Sequence, residues 1–358
     1  MIAYLLLILL WIYFYFILRV VKSNDPHKRF YEALLYGFSL FLLMGLRHST
    51  VGSDIMQYLS TYNNSSFYSY YELLKNSEWG FEAFNIILKN FYINEQGYLL
   101  ITSFLIVLAF SVFYFKYSKY IFLSFFLHLT IGLFTMSMSG IRQTLAVGII
   151  LFAFQYIIKK KFFIFSFLIL LAFTFHNSAI VFFPVYFLRN IVINRKNGSV
   201  ILGIVISTLL FRENLTPLIE FFMPERYTAR YDVLSEAYPV NPMIVLIAIL
   251  IPLVCLILWE NVKNLKEKER KIYSLLFLLS CLNAFTVILS LNSNIIGRLS
   301  FYFVTFNILL IPNMIKIIKD KNFKFIGVLA CIILPLIQFL LSTPDGTLQI
   351  DNYKFYWD

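Results

Sequence analysis

Long apolar runs, separated by short charged connectors, constrain this chain more than any other feature of its sequence. A helix needs about 20 apolar residues at about 1.5 Å each to cross the hydrocarbon core of a bilayer. Backbone polar groups find no partners in lipid, so such runs must be helical. We predict an all-α polytopic integral membrane protein, a single transmembrane domain over 1–358, with about twelve spans: 2–21, 31–46, 97–115, 119–136, 141–158, 162–175, 178–188, 199–211, 242–259, 272–290, 298–315 and 324–342.

The composition excludes an ordinary soluble domain. Only 14% of the residues are charged, against about 25% in soluble proteins. The net charge of +11 has a simpler source than nucleic-acid binding, because cytoplasmic loops of membrane proteins are rich in Lys and Arg. We therefore expect membrane lipid, and no nucleic acid, as a partner. The three cysteines lack the spacing of a disulfide framework or a zinc site, and we predict no metal.

The basic residues set an orientation. With the N-terminus outside and the spans alternating, the inner loops hold 21 of the 30 Lys and Arg residues, and the outer side holds 13 of the 19 acids. This is the asymmetry of a multi-pass protein of the cytoplasmic (inner) membrane. Both termini are then outside.

The few basic residues on the outer side are mostly arginine. Six of those nine are Arg, compared with five of the 21 on the inner side. Lys and Arg are equally effective in setting the orientation of a membrane protein. The excess of Arg therefore requires another cause. A guanidinium binds phosphate or carboxylate in a bidentate manner and keeps its charge when partly buried. The pattern predicts anion recognition on the outer face.

Two outer segments, 47–96 and 212–241, are long enough to form a roof over a site, since connections of this length are usually functional or disordered. Within the first, Phe81 to Phe91 has the apolar spacing of an amphipathic interfacial helix. Aromatic and arginine side chains suit the apolar faces and hydroxyl edges of sugars. Interface anchoring explains the aromatic ones equally well. The glycan-binding candidates are Trp79, Arg226, Tyr227, Arg230 and Tyr231.

The stretch 162–188 has basic residues on both sides and His176 in its middle. Read as a hairpin, it keeps both basic ends inside and places His176 at the tip of two short arms. His176 then lies in a sunken, water-filled vestibule. His128, among Phe and Leu in a span, is predicted to make a hydrogen bond between helices.

Three outer arginines are the candidates for binding an anion. In "SMSGIRQTLAVG", Ser139 is positioned to cap a helix with Arg142 in its first turn, where an anion would be bound by N–H groups and by Arg. Arg298 repeats the pattern of a polar loop, a Gly and an Arg opening a helix. In "GLRHSTVGSD", Arg47 ends a span, Gly52 lets the chain turn, and Asp54 either orients an Arg or acts as a base.

These motifs resemble the EpsG family of Wzy-like polymerases of capsular polysaccharide, exopolysaccharide and O-antigen repeat units. The resemblance lies in "LRHSTVGSDIMQY", "EWGFEAFN", "GRLSFYFVTFNILLIP" and the terminal "NYKFYW". It also includes the stretch from "SGIRQTLAVG" through the basic spacer 159–161 to "FHNSAIVFFPVYFL". It covers most of the chain, although 200–290 matches only in hydropathy. On this resemblance, family positions correspond to Arg47, Asp54, Arg142, His176 and Arg298.

The resemblance implies transfer of a growing glycan from polyprenyl diphosphate to a lipid-linked oligosaccharide repeat unit, with a chain-length regulator and a flippase as partners. Arginines would stabilise the diphosphate leaving group without a metal or other cofactor. His176 has a suitable pKa for a general base, and Asp54 is the alternative. A glycan ligase, a lipid-linked oligosaccharide flippase or transporter, and an O-acyltransferase stay open, although no internal repeat supports a transporter.

Overall fold

The computed structural model describes residues 2–21, 27–65, 77–221, 242–342, 350 and 352–358. Within these ranges the regular structure is helical, apart from one bridge that pairs Arg47 with Phe355, so the all-α prediction is confirmed. The helices are α1 (Ile2–Val21), α2 (Lys28–Gly45), α3 (Ile55–Asn64), α4 (Trp79–Asn90), α5 (Glu95–Tyr117), α6 (Ile121–Thr130), α7 (Leu133–Ser139), α8 (Ile141–Ile158), α9 (Phe162–Phe175), a 3-10 helix (Asn177–Phe182), α10 (Val185–Leu188), α11 (Arg195–Glu220), α12 (Pro242–Ile257), α13 (Trp259–Lys263), α14 (Glu267–Leu289), α15 (Asn294–Leu299), α16 (Phe301–Ile317) and α17 (Lys321–Ser342).

Several helices are long and apolar enough to cross a membrane, which makes this a multi-pass membrane protein. Among the described residues there are six, namely α1, α5, α8, α11, α14 and α17. Helices α6 and α7 make a seventh if the pair is one span. The apolar segments at α9, at Asn177–Leu188, at α12 and at α16 are shorter. The predicted number of twelve spans is therefore not confirmed.

Two predicted segments have different shapes in the structure. The span expected at 119–136 is broken, because α6 and α7 are bent by 58° where Gly132 adopts a φ of +86°, a conformation that favours glycine. The span expected at 199–211 is longer, since α11 runs from Arg195 to Glu220. The beginning of the predicted outer loop 212–241 is thus helical. The predicted outer segment 47–96 likewise contains α3 and α4.

The chain folds into two compact units, the first comprising Met1–Phe183 and Ile326–Asp358. In this unit α5 packs between α2 and α8, α8 packs against α9, and α9 contacts α4 and the 3-10 helix. The Tyr114 hydroxyl on α5 lies 2.9 Å from Nδ1 of His128 on α6, so the prediction that His128 links two helices is confirmed. Pairing of this kind satisfies polar side chains that lipid would leave without partners.

The second unit, Pro184–Phe325, is built around α14. Helices α11, α12 and α16 pack on it, and so does the short helix α15. The Tyr273 hydroxyl of α14 donates a hydrogen bond of 3.0 Å to the Asn313 carbonyl of α16. The indole N–H of Trp259 donates to the Ile193 carbonyl at 3.1 Å. Side-chain bonds to the backbone thus fix the ends of this unit's helices.

Candidate functional site

A hairpin at the end of α9 presents His176. Helix α9 ends at Phe175, and His176 has an extended backbone with φ −154° and ψ 117° before the 3-10 helix begins. Phe183 then packs beside Phe162 and Phe165, with ring centroids 6.0 and 6.3 Å apart, so the chain returns along α9. The predicted hairpin with His176 at its tip is confirmed. With 14 residues, α9 is about 21 Å long, shorter than a full span.

The residue that organises this tip is Glu78, which precedes α4. Its Oε2 accepts a hydrogen bond of 2.7 Å from the guanidinium of Arg142, and its Oε1 lies 2.8 Å from Nδ1 of His176. The backbone N–H of Asn177 also donates to Oε1, at 3.2 Å. Glu78 is 3% exposed. One buried carboxylate therefore joins two of the predicted site residues.

A close approach of two helices makes this geometry possible. Gly80, in the first turn of α4, faces Thr174 near the end of α9, and an added Cβ would lie 2.7 Å from the Cβ of Thr174. Real Cβ atoms are not found that close, so only glycine fits without a shift. Because Glu78 and His176 each lie two residues from this contact, Gly80 allows the carboxylate to reach the imidazole.

Helix α4 was predicted, but the residues it buries differ from the prediction. Phe81 and Leu88 are buried as the apolar spacing requires, whereas Ile87 and Phe91 are exposed. Their places on the inner face are taken by polar side chains, Glu82 and Asn85. The buried face of α4 is thus part of a polar cluster, because the charges of Glu78 and Arg142 both act on Glu82.

The two carboxylates of α4 have opposite pKa shifts. Burial raises the pKa of Glu78, but the hydrogen bond and charge of His176, the charge of Arg142 and the Asn177 N–H outweigh it and lower the pKa to about 2. At Glu82 burial dominates over the lowering effects of Arg142 and Asn85, so its pKa is raised. Glu78 is therefore a permanent anion at neutral pH, and Glu82 is held closer to its neutral form.

Arg142 lies in the first turn of α8, as predicted, but Ser139 does not cap that helix. The N-cap position is Gly140, without a side-chain hydrogen bond, and the Ser139 hydroxyl instead accepts from the N–H of Ser53 at 3.3 Å. The Arg142 guanidinium stands over the rings of Tyr58 and Phe81, 5.4 and 5.8 Å from their centroids. Its side chain keeps 33% of its surface exposed, so it can reach a ligand while bound to Glu78.

Arg47 lies in a different environment of the same unit. It is 0% exposed, and within the described part of the chain none of its three guanidinium nitrogens has a hydrogen-bond partner. Burial lowers its pKa to about 10, against the opposing effects of Tyr353, Tyr4 and Tyr98. The guanidinium therefore still carries its charge at neutral pH.

The loop after Arg47 turns as the sequence predicted. Gly52 has a φ of +110°, and an added Cβ would lie 2.7 Å from the Met138 carbonyl oxygen. Asp54 occupies the N-cap position of α3 without capping it. Its carboxylate accepts a hydrogen bond of 3.3 Å from the hydroxyl of Ser53. Its role as an alternative base stays a prediction.

Of the remaining candidates, Trp79 adjoins the cluster and the others do not belong to it. Trp79, the first residue of α4, is 43% exposed beside Glu78. Arg298 lies in the last turn of α15, in the second unit, and the long helix α16 begins only at Phe301. The expectation that Arg298 opens a long helix is therefore wrong. Four predicted glycan-binding residues lie outside the described residues: Arg226, Tyr227, Arg230 and Tyr231.

Sequence reasoning missed Glu78 itself. The motif "EWGFEAFN" contains it, yet its neighbour Trp79 was chosen as the candidate. The available signal was an acidic residue two positions before a Gly, in a predicted outer segment whose other candidate residues are mostly arginines. Glu78 is 64 residues from Arg142 and almost a hundred from His176, so no local spacing connects the three.

Comparison with known protein families identifies the chain. Neither the curated proteins nor the solved structures contain one that matches it. The EpsG family matches residues 30–355, which includes the whole Glu78, Arg142 and His176 cluster. The chain therefore belongs to the EpsG family, the family of Wzy-like polysaccharide polymerases.

Proposed function

We propose that this protein polymerises lipid-linked oligosaccharide repeat units at the outer face of the cytoplasmic membrane. The acceptor is a sugar hydroxyl of the incoming repeat unit, and the donor is the growing glycan on polyprenyl diphosphate. The acceptor oxygen forms a bond to the anomeric carbon as the bond from that carbon to the phosphate oxygen breaks. The electron pair leaves with the diphosphate, and the hydroxyl proton passes to a base.

The observation that carries this proposal is the Glu78 carboxylate placed between His176 and Arg142. A carboxylate at Nδ1 fixes the ring orientation of a histidine and stabilises its protonated form. Nε2 of His176 is then free to accept the proton of the acceptor hydroxyl, and Glu78 compensates the charge that forms. In this scheme His176 is the general base and Glu78 is a positioning residue.

Arg142 supplies the electrostatic part of the scheme. One of its nitrogens is bound by Glu78 and a third of its side chain is exposed, so its orientation is fixed before the diphosphate arrives. A preorganised cation that faces the developing negative charge lowers the barrier without reorganising during the reaction. No step in this scheme requires a metal ion or other cofactor.

Further assignments accompany this proposal. Exposed Trp79, beside Glu78, offers an aromatic face to a sugar ring of the glycan. Arg298 is assigned to phosphate on its sequence context and family position. The carboxylate of Asp54 is the alternative base if His176 serves only to bind. Arg226, Tyr227, Arg230 and Tyr231 keep their predicted role in glycan binding.

The test uses the purified protein in lipid nanodiscs with polyprenyl-diphosphate repeat units as sole substrate and EDTA present. A ladder of polymers supports the proposal. Transfer of labelled lipid between leaflets of proteoliposomes without a ladder overturns it in favour of a flippase. A ladder that forms without EDTA but not in its presence would refute metal independence.

Variants then assign the roles. Arg142→Ala and Arg298→Ala should abolish the ladder while membrane insertion is unchanged. His176→Gln and Asp54→Asn compare the two candidate bases, and the base is the residue whose loss removes the acidic limb of the pH–rate profile, where the rate falls as the base is protonated. His27→Gln, an exposed histidine at the N-cap of α2, is the matched control and should form normal ladders.

A further inference from the structure

The strongest unexplained feature outside the Glu78 cluster is a pair of buried donors with no acceptor. The guanidinium of Arg47 and the hydroxyl of Tyr98 are both fully buried, and neither has a hydrogen-bond partner among the residues that the structure describes. Tyr98 is one of three tyrosines within electrostatic range of Arg47. Buried polar groups without partners are rare, and each calls for an explanation such as a bound ion.

The other two tyrosines direct their hydroxyl protons to backbone carbonyls, and neither forms a hydrogen bond with the Arg47 guanidinium. The Tyr4 hydroxyl donates to the Ile350 carbonyl at 3.0 Å, and the Tyr353 hydroxyl donates to the Leu43 carbonyl at 2.6 Å. These bonds fix the positions of two side chains near Arg47. A positive charge enclosed in this way is retained at a large energetic cost unless an anion compensates it.

A C-terminal strap, residues 352–358, pairs with the chain at Arg47. Phe355 pairs with Arg47 itself, the N–H of His48 donates to the Lys354 carbonyl, and the N–H of Tyr356 donates to the Leu46 carbonyl, both at 2.9 Å. Beyond the Arg47–Phe355 pair the strap buries little surface. Trp357 stacks on Phe355, but 59% of Trp357 is exposed. The strap is thus attached along one edge by a small number of bonds.

We propose that Arg47 and Tyr98 form a second anion site, which takes one phosphate group of the carrier diphosphate after the C-terminal strap lifts. A phosphate offers enough oxygens to accept from both donors, and the guanidinium binds it in a bidentate manner. Tyr98 is also within electrostatic range of Arg142, so the site adjoins the catalytic cluster. The choice of diphosphate rests on the proposed function.

Thermal unfolding in detergent, with polyprenyl diphosphate as the probe, tests the anion site. The probe should raise the unfolding temperature of the native protein. Arg47→Met keeps the length of the side chain and removes the charge, so the protein alone should be at least as stable. The probe concentration at half-maximal stabilisation should rise more than about tenfold. Tyr98→Phe should weaken binding in the same direction.

Three results would overturn the site or its separation from the Glu78 cluster. If Arg47→Met unfolds at a lower temperature yet responds to the probe as the native protein does, Arg47 is a structural residue only. If inorganic diphosphate stabilises as well as polyprenyl diphosphate, the site binds free anions and not the carrier. Equal responses of Arg142→Met and Arg47→Met would also remove the distinction between the two sites.

A disulfide tests the strap. His48 and Lys354 are the neighbours of the Arg47–Phe355 bridge that face each other, joined by the hydrogen bond from the His48 N–H to the Lys354 carbonyl. Cα atoms of hydrogen-bonded residues in an antiparallel pair lie about 5.5 Å apart, within disulfide range. The His48→Cys, Lys354→Cys protein should respond to the probe and form ladders when reduced, and do neither when oxidised. Equal activity in both states refutes the strap, whereas ladders absent from the native protein refute the proposed function instead. Each single cysteine variant is the control for oxidation elsewhere.

Discussion

Replacing Glu78 by Gln tests the centre of the candidate site with the least change of shape. Gln has the same length but carries no charge. Its NH2 group, which is a donor, replaces one of the two carboxylate oxygens, either the one that accepts from Arg142 or the one beside Nδ1 of His176. Folding moves the pKa of Glu78 from 4.5 to about 2, which corresponds to about 3 kcal/mol of favourable interaction. Removing one partner of a buried ion pair has a similar effect, about 3 to 5 kcal/mol. Arg142 is partly exposed, so we expect the lower part of that range.

The activity of Glu78→Gln should fall further than its stability suggests. A histidine that loses its orienting carboxylate loses both the correct tautomer and the compensation of its charge, an effect of up to about 10⁴-fold in serine proteases. We expect ladder formation to slow by at least about 100-fold at saturating substrate. Glu95→Gln, an exposed acid in the first turn of α5, is the matched control.

The measurements are initial rates of ladder formation across pH and thermal unfolding in nanodiscs. The reasoning is refuted if Glu78→Gln forms ladders at the native rate, whatever its stability. A slow but folded variant with an unchanged pH profile would leave Glu78 as a structural residue and exclude its action through His176.

The cluster gives further expectations for the same assays. Gly80→Ala should slow ladder formation more than it lowers the unfolding temperature, because relief of the contact with Thr174 displaces Glu78; equal effects would contradict this. Since folding lowers the pKa of Glu78, its stabilisation is complete above about pH 4.5 and lost as the pH falls towards 2; an acid titration of native protein and Glu78→Gln should differ in that window. Glu82→Gln should leave the unfolding temperature unchanged or raise it, because burial disfavours the Glu82 anion; a clear decrease would show that the anion stabilises the fold. Arg142→Lys should retain insertion but lose most polymerisation, since an ammonium cannot hold a carboxylate and a phosphate in a planar arrangement, and full activity would disprove that geometry.

The helices were largely predictable because lipid leaves the backbone no alternative to internal hydrogen bonds. The predicted ends of 141–158 and 162–175 coincide with α8 and α9. Local hydropathy could not reveal the bend at Gly132, since it depends on the backbone φ of one residue. It also could not give the number of spans, because a 14-residue apolar helix has the same composition whether it crosses a membrane or ends at a site.

The candidate site was predictable only in part, for a related reason. Arg142 and His176 were found because charge and imidazole are conspicuous in apolar sequence. Glu78 was not, because an acid in an outer segment looks like a solvated residue until the fold buries it. The prediction of the buried face of α4 was wrong for the same reason. The apolar residues have helical spacing, but the buried face also contains Glu82 and Asn85. Polar residues buried by tertiary contacts leave no periodic pattern.

The two arginines of the first unit are in opposite electrostatic situations, and this explains why one chain retains both. Arg142 is compensated within the protein by Glu78, so its position is fixed and its exposed part can act on a ligand without a large change in solvation. Arg47 has no such compensation among the described residues, so its burial favours whatever anion can enter. An internal carboxylate suits a group that must orient a base at every step of a polymerisation. In our proposal, a cation without an internal counter-charge suits a group that takes up a new diphosphate at every step, and release depends on the strap closing again over Arg47.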